Sequence, residues 1–116
     1  MTFLTDCIFC KIIDGSIPSK KVYEDDKIVS FYDLEPQAPV HVLVVPKEHI
    51  CCADAITEDN ADIIAYIFTK IPEIAKKLGL TNGYRIINNC GADACQTVKH
   101  IHFHVLGGRQ LAGQMA

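Results

Sequence analysis

The stretch QTVKHIHFHVLGGR, residues 96–109, sets three histidines, His100, His102 and His104, on alternate positions with Ile101, Phe103 and Val105 between and after them. A period of two over that length is the pattern of a strand with one apolar face and one imidazole face. Same-face neighbours on a strand lie only about 7 Å apart, because each residue advances roughly 3.3 Å. Three imidazoles at that spacing repel when all are protonated, so some stay neutral and available as ligands or nucleophiles. A face that needs only to be soluble has no use for such a row. The stretch therefore asks for a sheet with one buried side, and it marks a site on the other.

The surrounding chain supplies the rest of such a sheet. Residues 7–13, CIFCKII, read as a short helical turn ended by Asp14 and Gly15. Lys21–Glu24 and residues 27–34 read as two strands of a hairpin around Asp25 and Asp26. Pro36, Gln37, Ala38 and Pro39 form a loop, and residues 41–45 are a β-branched strand stopped by Pro46. Thr57 is the expected N-cap of a helix, with Glu58 and Asp59 in its first turn, where acidic groups suit the dipole. Ile63, Ile64, Ile67, Phe68, Ile71, Ile74, Ala75 and Leu78 mark an apolar stripe at helical spacing, closed by Lys76, Lys77 and Gly79. Pro72 falls within the stripe and is expected to kink or divide the helix. Residues 84–88 and 100–106 read as the last two strands. The class is α+β, an antiparallel sheet with one long helix on one face.

Apolar residues make up 49% of the 116 positions and charged residues 22%, which is enough for one packed core and excludes a disordered chain. A single domain over residues 1–116 is expected, since no repeat, low-complexity tract or linker interrupts it. The formal charge is −3, and the basic residues gather no further than Lys20 with Lys21 and Lys76 with Lys77. That excludes a nucleic-acid polymer as partner, whereas a single nucleotide needs no basic patch. The opening MTFLTDCIFCKIIDG carries Asp6 and Lys11 and has no basic segment before an apolar run, unlike a secretory leader. No stretch approaches the roughly 18 apolar residues of a membrane span. A cytoplasmic protein with no membrane attachment is expected. In that reducing setting the six cysteines read as metal ligands, redox groups or small buried residues.

The block His-Ile-His-Phe-His-Val-Leu followed by Gly-Gly-Arg resembles the histidine triad (HIT) family, whose motif is three histidines separated by single apolar residues. The stretches IPSKKVYEDD, SFYDLEPQAPVHVLVVPKEHI and GYRIINN look like its Hint branch, the nucleoside phosphoramidase-like members. The resemblance spans nearly the whole chain, residues 7–109. It implies a HIT-like fold, a sheet continued across a homodimer, and a pocket for a purine nucleotide of the AMP or GMP type in each subunit. It implies a hydrolase in which His102 attacks the α-phosphorus of a purine nucleoside phosphoramidate or adenylated compound, forming a nucleotidyl-histidine that water releases. The backbone carbonyl of His100 then holds the other ring nitrogen of His102, while His41 and His104 donate to phosphate oxygens as charge develops. Asn89 and Thr97 resemble further polar contacts, Asp33 the ribose acceptor, and Ile8, Phe9, Ile12 and Leu43 the base pocket. A dinucleoside polyphosphate hydrolase of the Fhit type is a second reading, and a nucleotide-binding regulatory dimer with vestigial catalysis a third. Gly-Gly-Arg and Gly-Tyr-Arg favour Hint, and the intact His102 argues for catalysis. The chain departs from the Hint pattern at Thr97, where serine is usual, and at Ala94 and Cys95, where glycines are common and a stiffer loop is expected. Its ending QLAGQMA lacks the tryptophan-containing tail that borders the leaving-group side of the pocket.

Cys7 and Cys10 form a C-x-x-C that no second such pair accompanies. A thioredoxin-like redox pair would open a helix beside a parallel sheet, and that context is missing. His49 and His100 complete a Cys2His2 set like that of bacterial-type zinc-binding relatives carrying this C-x-x-C. Such a closed site is structural and ties the N-terminal turn to the sheet. The other reading leaves two thiols packed in that turn. Cys51, Cys52, Cys90 and Cys95 read as structural or incidental.

Overall fold

The structure is a computed structural model describing residues 6–116. Residues 1–5, part of the stretch read above for a leader, lie outside the described residues. Five strands form one antiparallel sheet: β1 Lys21–Glu24, β2 Ile28–Tyr32, β3 Val40–Pro46, β4 Arg85–Ile87 and β5 Phe103–Gly107, in the spatial order β1-β2-β3-β5-β4. A short helix α1, Ile8–Ile13, precedes the sheet, and the long helix α2, Ala61–Lys77, joins its two halves. No helix among the described residues is long and apolar enough to cross a membrane.

β3 is central because its run of Val, His and Leu is covered on both faces, and all its residues but Val40 are buried. Even-numbered Val42 and Val44 join Ile28, Ile101, Phe103 and Val105 in a core closed by Ile67, Ile71 and Ile74 of α2. Odd-numbered Leu43 and Val45 lie on the opposite face with Val29 and Phe31, under Phe9, Cys10 and Ile12 of α1. The sheet is thus filled on both sides. The site face is the one that the short helix covers. The hairpin turn is pinned by Asp25, which accepts from the Lys27 and Ile28 amides at 2.8 and 2.9 Å and from the Tyr23 and Tyr66 hydroxyls at 2.8 and 2.5 Å. Burial would raise its pKa, but the Tyr66 hydroxyl and the other donors outweigh it and hold the carboxyl at about 2.

Several boundaries differ from the reading of the sequence. The helix starts at Ala61 with Asn60 as N-cap, one turn later than Thr57 would set it. The Thr57 amide donates to Asn60 Oδ1 at 2.7 Å and its hydroxyl accepts from the Asp59 amide at 3.2 Å, so Thr57 builds the turn before the helix. Pro72 does not divide α2, which runs unbroken through it. One lost backbone bond is outweighed by buried Ile67, Ile71 and Ile74 on either side. At the other end Gly79, at φ +79°, lets the Leu80 amide reach back to the Ala75 carbonyl at 2.9 Å and the Gly79 amide to Lys76 at 3.1 Å. Pro46 closes β3 as its last residue rather than standing beyond it. The last two strands are shorter than residues 84–88 and 100–106, and His100 and His102 precede the ladder.

Candidate active site and metal centre

Strand register assembles the site. Leu43 pairs with His104 and His41 with Leu106, so His41, Leu43 and His104 share the face opposite α2. His102 lies one pleat before His104, their ring centroids 5.1 Å apart, and the edge of Phe9 packs against it, also at 5.1 Å. His102 Nδ1 donates to the His100 carbonyl at 2.7 Å. A carbonyl only accepts, so Nδ1 carries a proton, and in the neutral ring Nε2 is the nitrogen with the bare lone pair. The Asn88 amide side chain donates to the His102 carbonyl at 2.9 Å and fixes the backbone that carries the ring.

A second imidazole relay stands beside it. The Gln37 amide donates to His41 Nδ1 at 3.0 Å, so the His41 proton lies on Nε2. His41 Nε2 donates to His104 Nδ1 at 2.9 Å, and the His104 proton is therefore on Nε2. Burial lowers the pKa of His41, with the Asp33 carboxylate 3.5 Å away pulling in the opposite sense. Burial first, then the charges of His102 and His41, push His104 down to about 4 against the pull of Asp33. Both rings are neutral at pH 7, as the relay requires. It converts one fixed backbone N–H into one directed N–H on His104.

These rings border a cavity of about 900 Å3, a volume suited to a small-molecule ligand. His41, His102, His104, Asp33, Asn89, Thr97, Ile8, Phe9, Ile12 and Leu43 all line it, while His100 does not. Asp33 Oδ1 is occupied by the Glu35 amide at 2.8 Å, and Oδ2 faces the two relay histidines. Sequence reading missed Phe31, Val98 and Gln37 in the lining. Phe31 is the cross-strand partner of Leu43 and follows from the hairpin register. Gln37 works on His41 through a backbone N–H, which no side-chain pattern displays. Cys95, at φ +60°, is the one non-glycine in the left-handed region among the described residues, at a wall position where the loop favours glycine.

His100 faces a different assembly. Its Nδ1 lies 3.4 Å from Cys7 Sγ, 3.6 Å from Cys10 Sγ and 3.1 Å from His49 Nδ1, and Cys10 Sγ lies 3.4 Å from His49 Nδ1. A tetrahedral zinc with bonds of about 2.3 Å to sulfur and 2.0–2.1 Å to nitrogen separates its ligand atoms by roughly 3.3–3.8 Å. The four residues fit that ion in donor type and in spacing. His100 Nε2 donates to the Pro46 carbonyl at 2.8 Å, which fixes the tautomer and leaves Nδ1 as the ligand atom. Burial drives His100 down to about 4, so it stays neutral as a ligand must. The last residue of β3 thus orients a metal ligand. The ligand's own carbonyl orients His102.

The sequence has clear relatives. The profile of the HIT domain matches residues 14–111. A protein of Zea mays described as a 14 kDa zinc-binding protein is 44% identical over 110 residues, spanning 90% of this chain and 83% of its own. A histidine triad protein from Clostridium difficile superposes with a TM-score of 0.94 at 49% identity, covering 97% of this chain and 99% of that one. A HIT family hydrolase from Legionella pneumophila gives a TM-score of 0.90 at 41% identity over 93% and 97% of the two chains.

Proposed function

This chain belongs to the HIT domain family, and we propose that it is a nucleotide hydrolase acting at the α-phosphate of purine nucleoside phosphoramidates or related adenylated compounds. The observation that carries this reading is the bond from His102 Nδ1 to the His100 carbonyl, which in the neutral ring leaves Nε2 as the nitrogen with the free lone pair on a side chain that lines the cavity. In the proposed reaction Nε2 forms a bond to phosphorus while the bond to the leaving amine or oxygen breaks. A nucleotidyl-histidine results, and water then attacks phosphorus, returning His102 and releasing the monophosphate. His104 donates from Nε2 to a phosphate oxygen as negative charge builds, and His41 holds that donor in place from behind. Asp33 Oδ2 accepts from the ribose hydroxyls, Asn89 and Thr97 add polar contacts near the phosphate, and Ile8, Phe9, Ile12 and Leu43 sandwich the base. Cys7, Cys10, His49 and His100 would hold a structural zinc ion, whose contribution is to fix α1 and the backbone of His100 against the sheet. The active form is a homodimer.

His102→Ala removes the attacking atom and little of the pocket wall. Its kcat on adenosine phosphoramidate should fall by at least about a thousandfold, with AMP binding kept within a few fold. Retention of more than a few per cent of wild-type turnover would reject His102 as nucleophile. Faster wild-type turnover of a diadenosine polyphosphate than of the phosphoramidate would reject the substrate class.

A further inference from the structure

Outside both sites, three ligand-type side chains converge on the surface: the Sγ atoms of Cys52 and Cys90 and a carboxylate oxygen of Asp54 all lie within 4.8 Å of one another. The two thiols are half-buried and Asp54 is exposed, so the group is rooted in the protein and open on one side. Local hydrogen bonds build the apposition. Cys52 and Asp54 sit around the 3-10 turn Ala53–Ala55, closed by the Ala55 amide to the Cys52 carbonyl at 3.0 Å. Gln96 joins that segment to the one holding Cys90: its Nε2 donates to the Cys51 carbonyl at 2.8 Å and its Oε1 accepts from the Gly91 amide at 2.9 Å. The thiols are therefore brought together by a frame that does not involve them.

We propose that Cys52, Asp54 and Cys90 form a second, open cation site for a thiophilic divalent ion such as zinc or cadmium. Two thiolates and a carboxylate are a donor set for a borderline or soft cation, with water completing the tetrahedron on the exposed side. Ligand atoms of such a site stand roughly 3.5–3.8 Å apart, inside the 4.8 Å that bounds the separations of these three. Binding releases the two thiol protons to solvent and involves no change of oxidation state. The carboxylate favours a cation over a Cys52–Cys90 disulfide, which has no use for a third ligand. The ion would staple the 3-10 turn to the loop of residues 88–98, and Asn89, Cys95 and Thr97 of that loop line the nucleotide cavity.

The test is a cadmium titration of the reduced, metal-stripped full chain, followed by the ultraviolet thiolate-to-metal band. Wild type should take up two equivalents, while Cys52→Ser and Cys90→Ser should each take up one. Survival of the first equivalent reports that the variant is folded and its Cys7/Cys10 set intact. Asp54→Asn, at an exposed position, should keep both equivalents but bind the second at least about tenfold more weakly, the smallest loss typical even of an outer-shell partner. A single equivalent in wild type, or a second that survives both cysteine variants, overturns the site. A Cys52–Cys90 disulfide found by mass spectrometry in protein reduced and then purified under nitrogen overturns it as well.

Discussion

A histidine can attack or ligate only from a ring nitrogen that carries no proton, and here backbone groups choose that nitrogen in three of the four rings, His41 choosing it for His104. The His100 carbonyl takes the His102 Nδ1 proton, the Pro46 carbonyl takes the His100 Nε2 proton, and the Gln37 amide forces the His41 proton onto Nε2. The alternation in residues 100–105 shows in the sequence which residues share a face. It does not show which nitrogen of each ring is bare, because that depends on carbonyls and amides every residue possesses. Asp33, Leu43 and Asn89 were legible only through family resemblance, since an aspartate before a turn or a leucine in a strand has an ordinary structural use. Depressed basicity has a consequence for stability. His104 titrates near 4 in the folded chain and near 6.5 when unfolded, so between those values the unfolded chain binds a proton that the folded chain refuses. Stability from this group is complete above about pH 6.5, falls as pH drops toward 4, and levels off below. His104→Gln should therefore flatten the decline of Tm between pH 6.5 and 4.5. Both proteins keep the Cys2His2 set, so any metal release is common to the two curves; parallel curves would show that His104 does not carry this dependence. Gly108 is constrained in another way, at φ +95° with an added Cβ only 3.0 Å from Pro39 Cβ. Gly108→Ala should cost about 1–3 kcal/mol in chemical denaturation.

At the scale of elements, periodicity located what packing also demanded. The stripe Ile67, Ile71, Ile74 and Ala75 is the buried face of α2, and the odd–even division of β3 into two cores follows from its pleat. Ends were less legible, because an N-cap depends on which polar side chain wins a local competition. Thr57 and Asn60 both qualify by type, yet neither side chain caps the helix: Asn60 stands at the N-cap position with its Oδ1 turned back to the Thr57 amide, and Thr57 is used in the turn before it. Strand limits shrank for a related reason: His100 is drawn out of the ladder toward Cys7, Cys10 and His49. The short helix α1 has six residues, too few to persist alone, and it is held by buried Phe9 and Ile12 together with the cysteines at its start. Cys7→Ser or Cys10→Ser should abolish zinc uptake at the Cys2His2 set by elemental analysis and lower Tm by roughly 5 °C or more. Phosphoramidate hydrolysis should remain measurable in these variants, because the bond between His102 Nδ1 and the His100 carbonyl needs no metal. A Cys7→Ser/Cys10→Ser protein as stable as wild type would show that the centre does not hold α1.

For the whole molecule, the open question is what the two sheet edges do. The β1 edge carries Lys21 and Glu24, and its pairing with β2 is irregular between Lys21 and Tyr23, features that discourage another strand from adding there. The β4 edge is only three residues long; its one charge, Arg85, is turned to the Ala112 carbonyl at 2.8 Å, and Ile86 and Ile87 beside it are half-buried. On the same molecule Phe68 projects from α2 with 47% of its surface exposed, although it packs edge-on against Phe103 at 5.4 Å. A large exposed aromatic on the helix that covers the sheet, together with an edge whose one charge is engaged within the chain, suits a two-fold partner whose own β4 would pair with this one and continue the sheet. The proposed homodimer should therefore form through β4 and the adjoining face of α2. Sedimentation velocity at micromolar concentration should give a dimer for wild type, and Phe68→Glu, which places a charge at that face, should weaken self-association at least about tenfold. A charge reversal at the other edge, Lys21→Glu, should leave the dimer intact. A monomeric wild type would reject the assembly, and a dimer lost with Lys21→Glu but kept with Phe68→Glu would move the interface to β1.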